Sequence, residues 1–403
     1  MLDFSTLSVR RGFKNFLSFA VVCAFFVPST YVFGTSEGHE EGNHTAVEAT
    51  AVEANAAHAD GEHAAAQQEE ATSHDAAAHE GAEHHESEKF EPGKMIVEHV
   101  SDAHSWHLWG EGHGAVSIEL PVILYTKSAG WVVFSSSKFE HGHAAFNGFK
   151  LDEANHVVWE DSANTEKIYD FSITKNVVAM FIGVLTLLIL MIGMANTYKK
   201  IAGKAPRGFH NLVEPLILFI RDDVARASIG KKKADKFMPL LLSLFFFIFV
   251  LNIYGLIPIF PGGANVTGNI SVTMVLALVV AITVNFSGNK YYWKHIFLPD
   301  VPVLMYPVII PIEILGVILK PFVLMLRLFA NITAGHIIIL GFFSLIFIFG
   351  AMKPSIGYAV TPLSVGFTVF MSMLELLVAF LQAFVFTLLT SIYIGMAVEE
   401  HHH

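Results

Sequence analysis

The sequence predicts an all-α polytopic membrane protein, with about five membrane helices and one interfacial amphipathic helix, carrying a small β-rich extracytoplasmic module ahead of them. Three observations lead there. Of 403 residues, 53% are hydrophobic and only 15% are charged, against about 25% charged in globular proteins. From residue 177 onward there are uncharged runs as long as a bilayer is thick. Between residues 94 and 170 the pattern is instead that of short alternating segments separated by turn residues.

The net charge of −11 is unevenly divided: residues 36–91 hold 15 Asp and Glu and one Lys, which leaves the other positions at +3. A charge so small and scattered gives no reason to expect a nucleic-acid partner. Cys23 is the single cysteine, so a disulfide scaffold is excluded.

Residues 1–34 have the layout of a signal peptide: Arg10, Arg11 and Lys14, then the apolar run FLSFAVVCAFFV (16–27), then a cut before Thr35. The apolar core is shorter than the ~20 residues a span needs. An uncleaved anchor is the alternative, and either way the chain that follows starts outside the cytoplasm. Residues 35–90 repeat Ala, Glu, His and Gly, with eight histidines from His39 to His85. They lack the apolar side chains needed to offset ordering, which predicts a disordered tether rather than a metal scavenger. Residues 91–170 form the predicted β-rich module, with strands in SIELPVILY (117–125), WVVFSSS (131–137) and a pair within FKLDEANHVVW (149–159). His99, His104, His107 and His113, lying among Trp106 and Trp109, read as ordinary polar surface, with a metal site as the alternative.

Residues 171–403 form the membrane domain. Val177–Ala195, Met238–Phe260 and Val272–Phe286 give the first three spans. The segment 198–236 has ten Lys or Arg against four Asp or Glu, and the positive-inside rule makes it cytoplasmic. Its run NLVEPLILFIRDDVARA (211–227) fits a helix lying on the membrane surface. The last two segments are too long for upright spans. Ser364–Ala397 holds one charge and no proline, and as one helix it would measure roughly 50 Å against a core of about 30 Å. It must slant, break or leave the membrane. Residues 303–352 raise the same question, with Pro307, Pro311 and Pro321 as possible kinks.

Charge is scarce in this region and therefore informative. The long segments hold Glu313, Lys320, Arg327 and Glu375. On a helical wheel Glu313, Lys320, Arg327 and Asn331 fall within about 40° of one another, while His336 points to the opposite face. Ser364, Thr368, Ser372, Glu375, Ala379 and Gln382 form a second stripe at helical spacing. The hydroxyls in it suit the lining of a water path or hydrogen bonds between packed helices.

The runs LKPFVLMLRLFANITAGHIIIL (319–340), LELLVAFLQAFVFTLLTSIYIGMAVEEH (374–401) and LNIYGLIPIFPGGANVTGNISVT (251–273) closely resemble subunit a of F-type ATP synthase. The resemblance covers most of 170–400 in matching order, with R-L-F-x-N-x-x-x-G at 327–335 as its specific core. It implies a multi-pass stator subunit of a bacterial inner membrane, its N-terminal region periplasmic and its C-terminus cytoplasmic, with two proton half-channels and no catalysis of its own. The implied partners are the ring of subunit c, the subunit b stator and the rest of the F1Fo complex. No cofactor is implied, and the transported ion is expected to be H⁺, with Na⁺ as the alternative because that choice rests largely on the ring's own site.

By position, the resemblance makes Arg327 the arginine facing the ring, Gln382 the glutamine packed beside it and Asn331 the asparagine one turn further on. Glu313 matches a carboxylate of the cytoplasmic half-channel. His336 and Glu375 match a pair whose acid and histidine are exchanged in some members; the order here is that of mitochondrial members. One departure bears on how closely the helix approaches the ring: Val323 and Met325 stand where small residues often precede the arginine. Two rival readings remain at this point, an ion-coupled secondary transporter, which predicts repeated halves, and a membrane-anchored periplasmic metal-binding protein.

Overall fold

The computed structural model describes residues 92–109, 116–142, 144–152, 155–200, 208, 210–257, 260 and 262–399. These all belong to one compact unit. The predicted signal peptide and tether lie outside the described residues, as do His113 and the side chains of His99 and His107.

The module begins with a helix, α1 (Pro92–Val100), that its strand pattern did not announce. There follow β1 (Ser105–Trp109), β2 (Val116–Glu119), β3 (Pro121–Thr126), β4 (Gly130–Ser135), a 3-10 turn (Ser136–Gly142), β5 (Phe149–Leu151), β6 (Val157–Trp159) and β7 (Tyr169–Asp170). The expected strand over 117–125 is two strands in different sheets: β2 pairs with β1, whereas β3 lies between β4 and β7. The break falls at Leu120–Pro121, because proline has no N–H to give a ladder and tolerates only the start or edge of a strand. All pairings are antiparallel, with Val122 opposite Phe134 and Tyr125 opposite Trp131. Alternation along β3 buries Val122, Leu124 and Thr126, and Val122 and Leu124 join Phe139, Phe149 and Val157 in the module's core.

The membrane domain comprises α2 (Lys175–Lys200), α3 (His210–Phe219) running through a π segment (Ile220–Ala225) into α4 (Arg226–Ile229), α5 (Lys231–Leu256), α6 (Ile270–Ser287), α7 (Lys290–Phe297), α8 (Tyr306–Met352) and α9 (Pro354–Val398). Among the described residues five segments are long and apolar enough to cross a membrane: α2, α5, α6, α8 with the 3-10 turn before it, and α9. Both long segments are unbroken. Pro311 and Pro321 sit inside α8 and Pro362 inside α9. At 47 and 45 residues these helices run about 70 Å each. A length of 70 Å held wholly within a 30 Å core would lean about 65° from the normal, so a steep slant follows unless an end emerges.

A single extended residue, Lys353, joins the two. Pro354 starts α9 ten residues before the uncharged, proline-free run does, since proline suits the first turn of a helix. The close turn needs glycine: a Cβ on Gly357 would stand 2.7 Å from the Cα of Gly350.

The predicted surface helix is present as α3–α4, with Val213, Ile217, Ile220 and Val224 buried. That face is used against protein. Ser391 of α9 donates to the Val224 carbonyl at 3.3 Å, and Gly395 admits the Ser228 carbonyl where any side chain would collide. Charges stay outside, with Arg221 and Arg226 both paired to Asp222. The last carbonyls of α9 are satisfied from elsewhere: Lys233 Nζ donates to Val398 O at 2.6 Å and Asn289 Nδ2 to the same oxygen at 2.9 Å.

The module is tied to the membrane domain at the head of α2. Asp102 accepts from the Asn176 N–H at 3.0 Å and from Thr174 Oγ1 at 2.7 Å, so a carboxylate from the module caps a helix start and meets its dipole. Trp106, 3% exposed, sets its ring edge-on to Phe260 at 5.1 Å. The expectation that His104 was a surface group is therefore corrected: it is buried in this joint, as is Trp106.

Candidate functional site

The helix hairpin of α8 and α9 sorts its polar groups onto two sides. Arg327 and Asn331, one turn apart on α8, are both exposed. Around them Phe322, Val323 and Leu326 are also exposed, at 48%, 42% and 38%. Arg327 makes no ion pair or hydrogen bond among the described residues, and Tyr393 is within its electrostatic reach. Met325 is 7% exposed and packs inward. Of the two larger residues before the arginine, only Val323 thus lies on the arginine's face.

The opposite side of α8 carries His336, as the wheel requires. Its Nε2 lies 3.9 Å from Glu375 Oε1 on α9, with the two side chains 19% and 4% exposed. Residues 39 positions apart are brought together because the hairpin returns antiparallel. Gly335 makes the approach possible, since a Cβ there would stand 2.6 Å from Glu375 Oε1. The glycine that ends the R-L-F-x-N-x-x-x-G run therefore has a steric reason. Neither Glu375 oxygen has a hydrogen-bond partner among the described residues.

The remaining expected residues divide. Gln382 is buried and is not hydrogen-bonded to Arg327. Ser364 is buried and donates across the hairpin to the Phe342 carbonyl, which is the helix-packing use of a hydroxyl. Ser372 is exposed and bonds back to Thr368 O at 2.9 Å on its own helix, while the Thr368 hydroxyl is buried without a hydrogen-bond partner among the described residues. The stripe is therefore not one uniform lining. Near the other end of α8, Glu313 Oε2 lies 3.9 Å from His295 Nδ1 of α7, and Lys320 sits 5.6 Å from the centroid of Tyr393.

Sequence reasoning missed a buried polar chain beside the pair. Thr267 donates to Asn252 Oδ1 at 2.7 Å, and Asn252 Nδ2 donates to the Ala379 carbonyl at 3.1 Å. Asn252 falls in an apolar run, and only its 2% exposure marks it. Among the described residues no three His, Cys, Asp or Glu side chains gather as a metal site.

A polytopic membrane protein with a bare guanidinium on one side of a tilted hairpin and a buried acid–imidazole pair on the other is an ion-handling membrane protein by class. The ATP synthase A chain family matches residues 177–395, and a domain of unknown function matches residues 95–177. The chain is 41% identical over 271 residues to ATP synthase subunit a of Chloroherpeton thalassium, covering 63% of this chain and 78% of that protein. It is 43% identical over 241 residues to the same subunit of Chlorobium phaeobacteroides (58% and 68%), and 33% identical over 319 residues to that of Anaeromyxobacter dehalogenans (77% and 79%). The chain belongs to the ATP synthase A chain family.

Proposed function

We propose that this subunit forms two offset proton half-channels in the membrane sector of an ATP synthase, coupling proton passage to rotation of a ring of subunit c. It makes and breaks no substrate bond itself. The observation that carries this reading is the division within one hairpin: Arg327 is exposed with no ion pair or hydrogen bond among the described residues, while His336 and Glu375 meet on the inner side. A guanidinium keeps its proton in proteins, so it attracts a carboxylate brought past it without conducting. It serves as the barrier between the half-channels. Were they joined by water there, each proton would dissipate about 2.3 kcal/mol per 100 mV.

Imidazole and carboxyl groups do exchange protons at physiological pH, which suits His336 and Glu375 to the extracytoplasmic half-channel. Glu313, with His295 3.9 Å away, suits the cytoplasmic one, with Lys320 two turns further along the same helix. Gln382 and Asn331 would position the arginine and its passing partner, and Thr368 would line the outer path. The basic segment 198–236 argues for a cytoplasmic face there. On this reading the module is periplasmic, the C-terminus is cytoplasmic, and the protein sits in a bacterial inner membrane with a subunit b stator alongside.

Arg327→Ala tests the reading. Proton-driven ATP synthesis should be abolished in assembled complexes, and Arg327→Lys should recover little of it, having a point charge in place of the planar fork. ATP-driven acidification at the wild-type rate by inverted vesicles carrying Arg327→Ala would overturn it.

A further inference from the structure

A cavity of about 340 Å³ lies where the module meets the membrane helices. Its module side includes Asp102, His104, His156 and Asp170, and its membrane side includes Asn269 and Thr333. Such a volume holds roughly ten waters at liquid density. Its most unusual wall is His104. The residue is 5% exposed, its Nε2 lies 3.2 Å from Asp170 Oδ2, and its Nδ1 is buried with no partner among the described residues. A buried ring nitrogen without a partner costs free energy that a purely structural histidine would avoid.

The far wall points toward the pair already described. Thr333 donates to the Gly268 carbonyl at 3.4 Å and stands three residues before His336, about 4.5 Å along the helix.

We propose that this cavity is the outer mouth of the proton path, with His104 taking protons from the extracytoplasmic water and passing them inward, so that the module is part of the conductor. The proposal rests on the proton-channel reading above. The step requires a cavity water to reach Nδ1, which is closed to water at rest; its proton bonds to Nδ1, and Asp170 at Nε2 holds the imidazolium charge. Release to a cavity water returns the lone pair to Nδ1 and leaves the ring unchanged over the cycle. Asp170 is a positioning residue here. The other groups that face the pair are Asp102, with Lys175 buried beside it, and His156, paired with Asp152 at 3.5 Å. The lining from the membrane helices carries no charge. Waters then carry the proton past Thr333 toward His336.

The test uses assembled complexes in right-side-out vesicles stripped of the catalytic sector, with passive proton flux read against outer pH. His104→Gln keeps a polar group but cannot titrate. It should lower flux by about a hundredfold and abolish the part of the pH profile set from the outer side, and Asp170→Asn should shift that profile. In a Cys23→Ser background, Ser101→Cys at the cavity rim should conduct normally until an impermeant cationic thiosulfonate is added outside, and then be blocked.

Three outcomes overturn the proposal: a His104→Gln profile unchanged from wild type, a Ser101→Cys adduct that conducts freely, or a Ser101→Cys that never labels. If His104→Gln does not assemble, the Ser101→Cys arm decides. Arg327→Ala run in parallel separates the two claims. Its coupled activity at wild-type level sinks the channel reading, whereas its loss together with a freely conducting adduct sinks only the mouth.

Discussion

Gly335→Ala isolates the acid–imidazole pair without touching either member. The added Cβ would stand 2.6 Å from Glu375 Oε1 and 2.9 Å from its Cδ. Ordinary contact is about 3.5 Å, so the carboxylate must withdraw by roughly 1 Å from α8. Glu375 is 4% exposed and has little room in which to do so. Its resting separation from His336 Nε2 is 3.9 Å, and withdrawal carries it further from the ~3 Å at which a proton is handed over directly. Overpacking of this kind costs about 1–3 kcal/mol; charged to the transfer step, that is about 5- to 150-fold in proton flux. Helix formation cannot explain such a loss, because Ala is favoured over Gly in a helix interior by about 1 kcal/mol. Passive flux in vesicles stripped of the catalytic sector gives the rate, with assembly followed by blotting. Adding Glu375→Asp, which shortens the acid by one methylene, should recover part of the loss even though Glu375→Asp alone is impaired. Wild-type flux in assembled Gly335→Ala complexes, or independent effects of the two changes, would refute the steric argument.

Other outcomes follow from the same geometry. His336→Glu and Glu375→His should each slow proton translocation, and the double exchange should restore a substantial part, because coupled neighbours do not add; a double no better than the worse single would separate the two residues functionally. Arg327→Leu should assemble at least as well as wild type while coupled ATP synthesis is lost, since it removes from an apolar face a cation with no ion-pair partner among the described residues; blotting and synthesis assays read the two. The joint should loosen in acid. Burial pushes the Asp170 carboxyl up, but the hydrogen bond and charge of His104 and the hydrogen bonds of Ser172 outweigh it and leave it below the ordinary carboxylate range. A depressed native value contributes stability that is present above the unfolded value and lost as pH falls through the native one. Hydrogen-exchange protection of β3 and β7, corrected for intrinsic rate, should therefore fall below the usual carboxylate range, and Asp170→Asn should flatten that dependence.

What the sequence discloses depends on whether one element or two are needed to state it. The spans are legible because a bilayer demands length and apolarity within a single segment: α2 and α6 each contain the run expected of them, and α5 carries the run begun at Met238 as far as Leu256. Arg327 and Glu375 stand out because charge is expensive where they are. That His336 faces away from Arg327 follows from one helix's periodicity. Contacts between elements are different. The inward turn of Met325, the fit of Gly335 under a carboxylate and the role of Asn252 arise only once α8 packs on α9 and α9 on α5. His104 was misread for the same reason, since a histidine in a polar stretch has no local signature of burial and its partner Asp170 lies 66 residues on. The split of 117–125 into two strands was legible in principle, as Pro121 cannot serve a central ladder, but the apolar alternation on both sides of it concealed the break.

The same comparison of costs argues that α8 is made to be covered. Its most apolar stretch is 11% buried within the chain, against 50% for α5. Lipid could satisfy the exposed Phe322, Val323 and Leu326, but it cannot satisfy Arg327, for which even the lenient scale charges about 2.5–3.5 kcal/mol at the bilayer centre. Snorkelling would relieve an arginine near a helix end. Arg327 is 21 residues from the start of α8 and 25 from its end. An inclined hairpin about 70 Å long with one fixed cation near its middle is therefore suited to a partner that brings one carboxylate at a time to that point and otherwise presents apolar surface. The ring of subunit c proposed above meets that description, whereas a partner with a permanently bound carboxylate would lock the pair and stop transport.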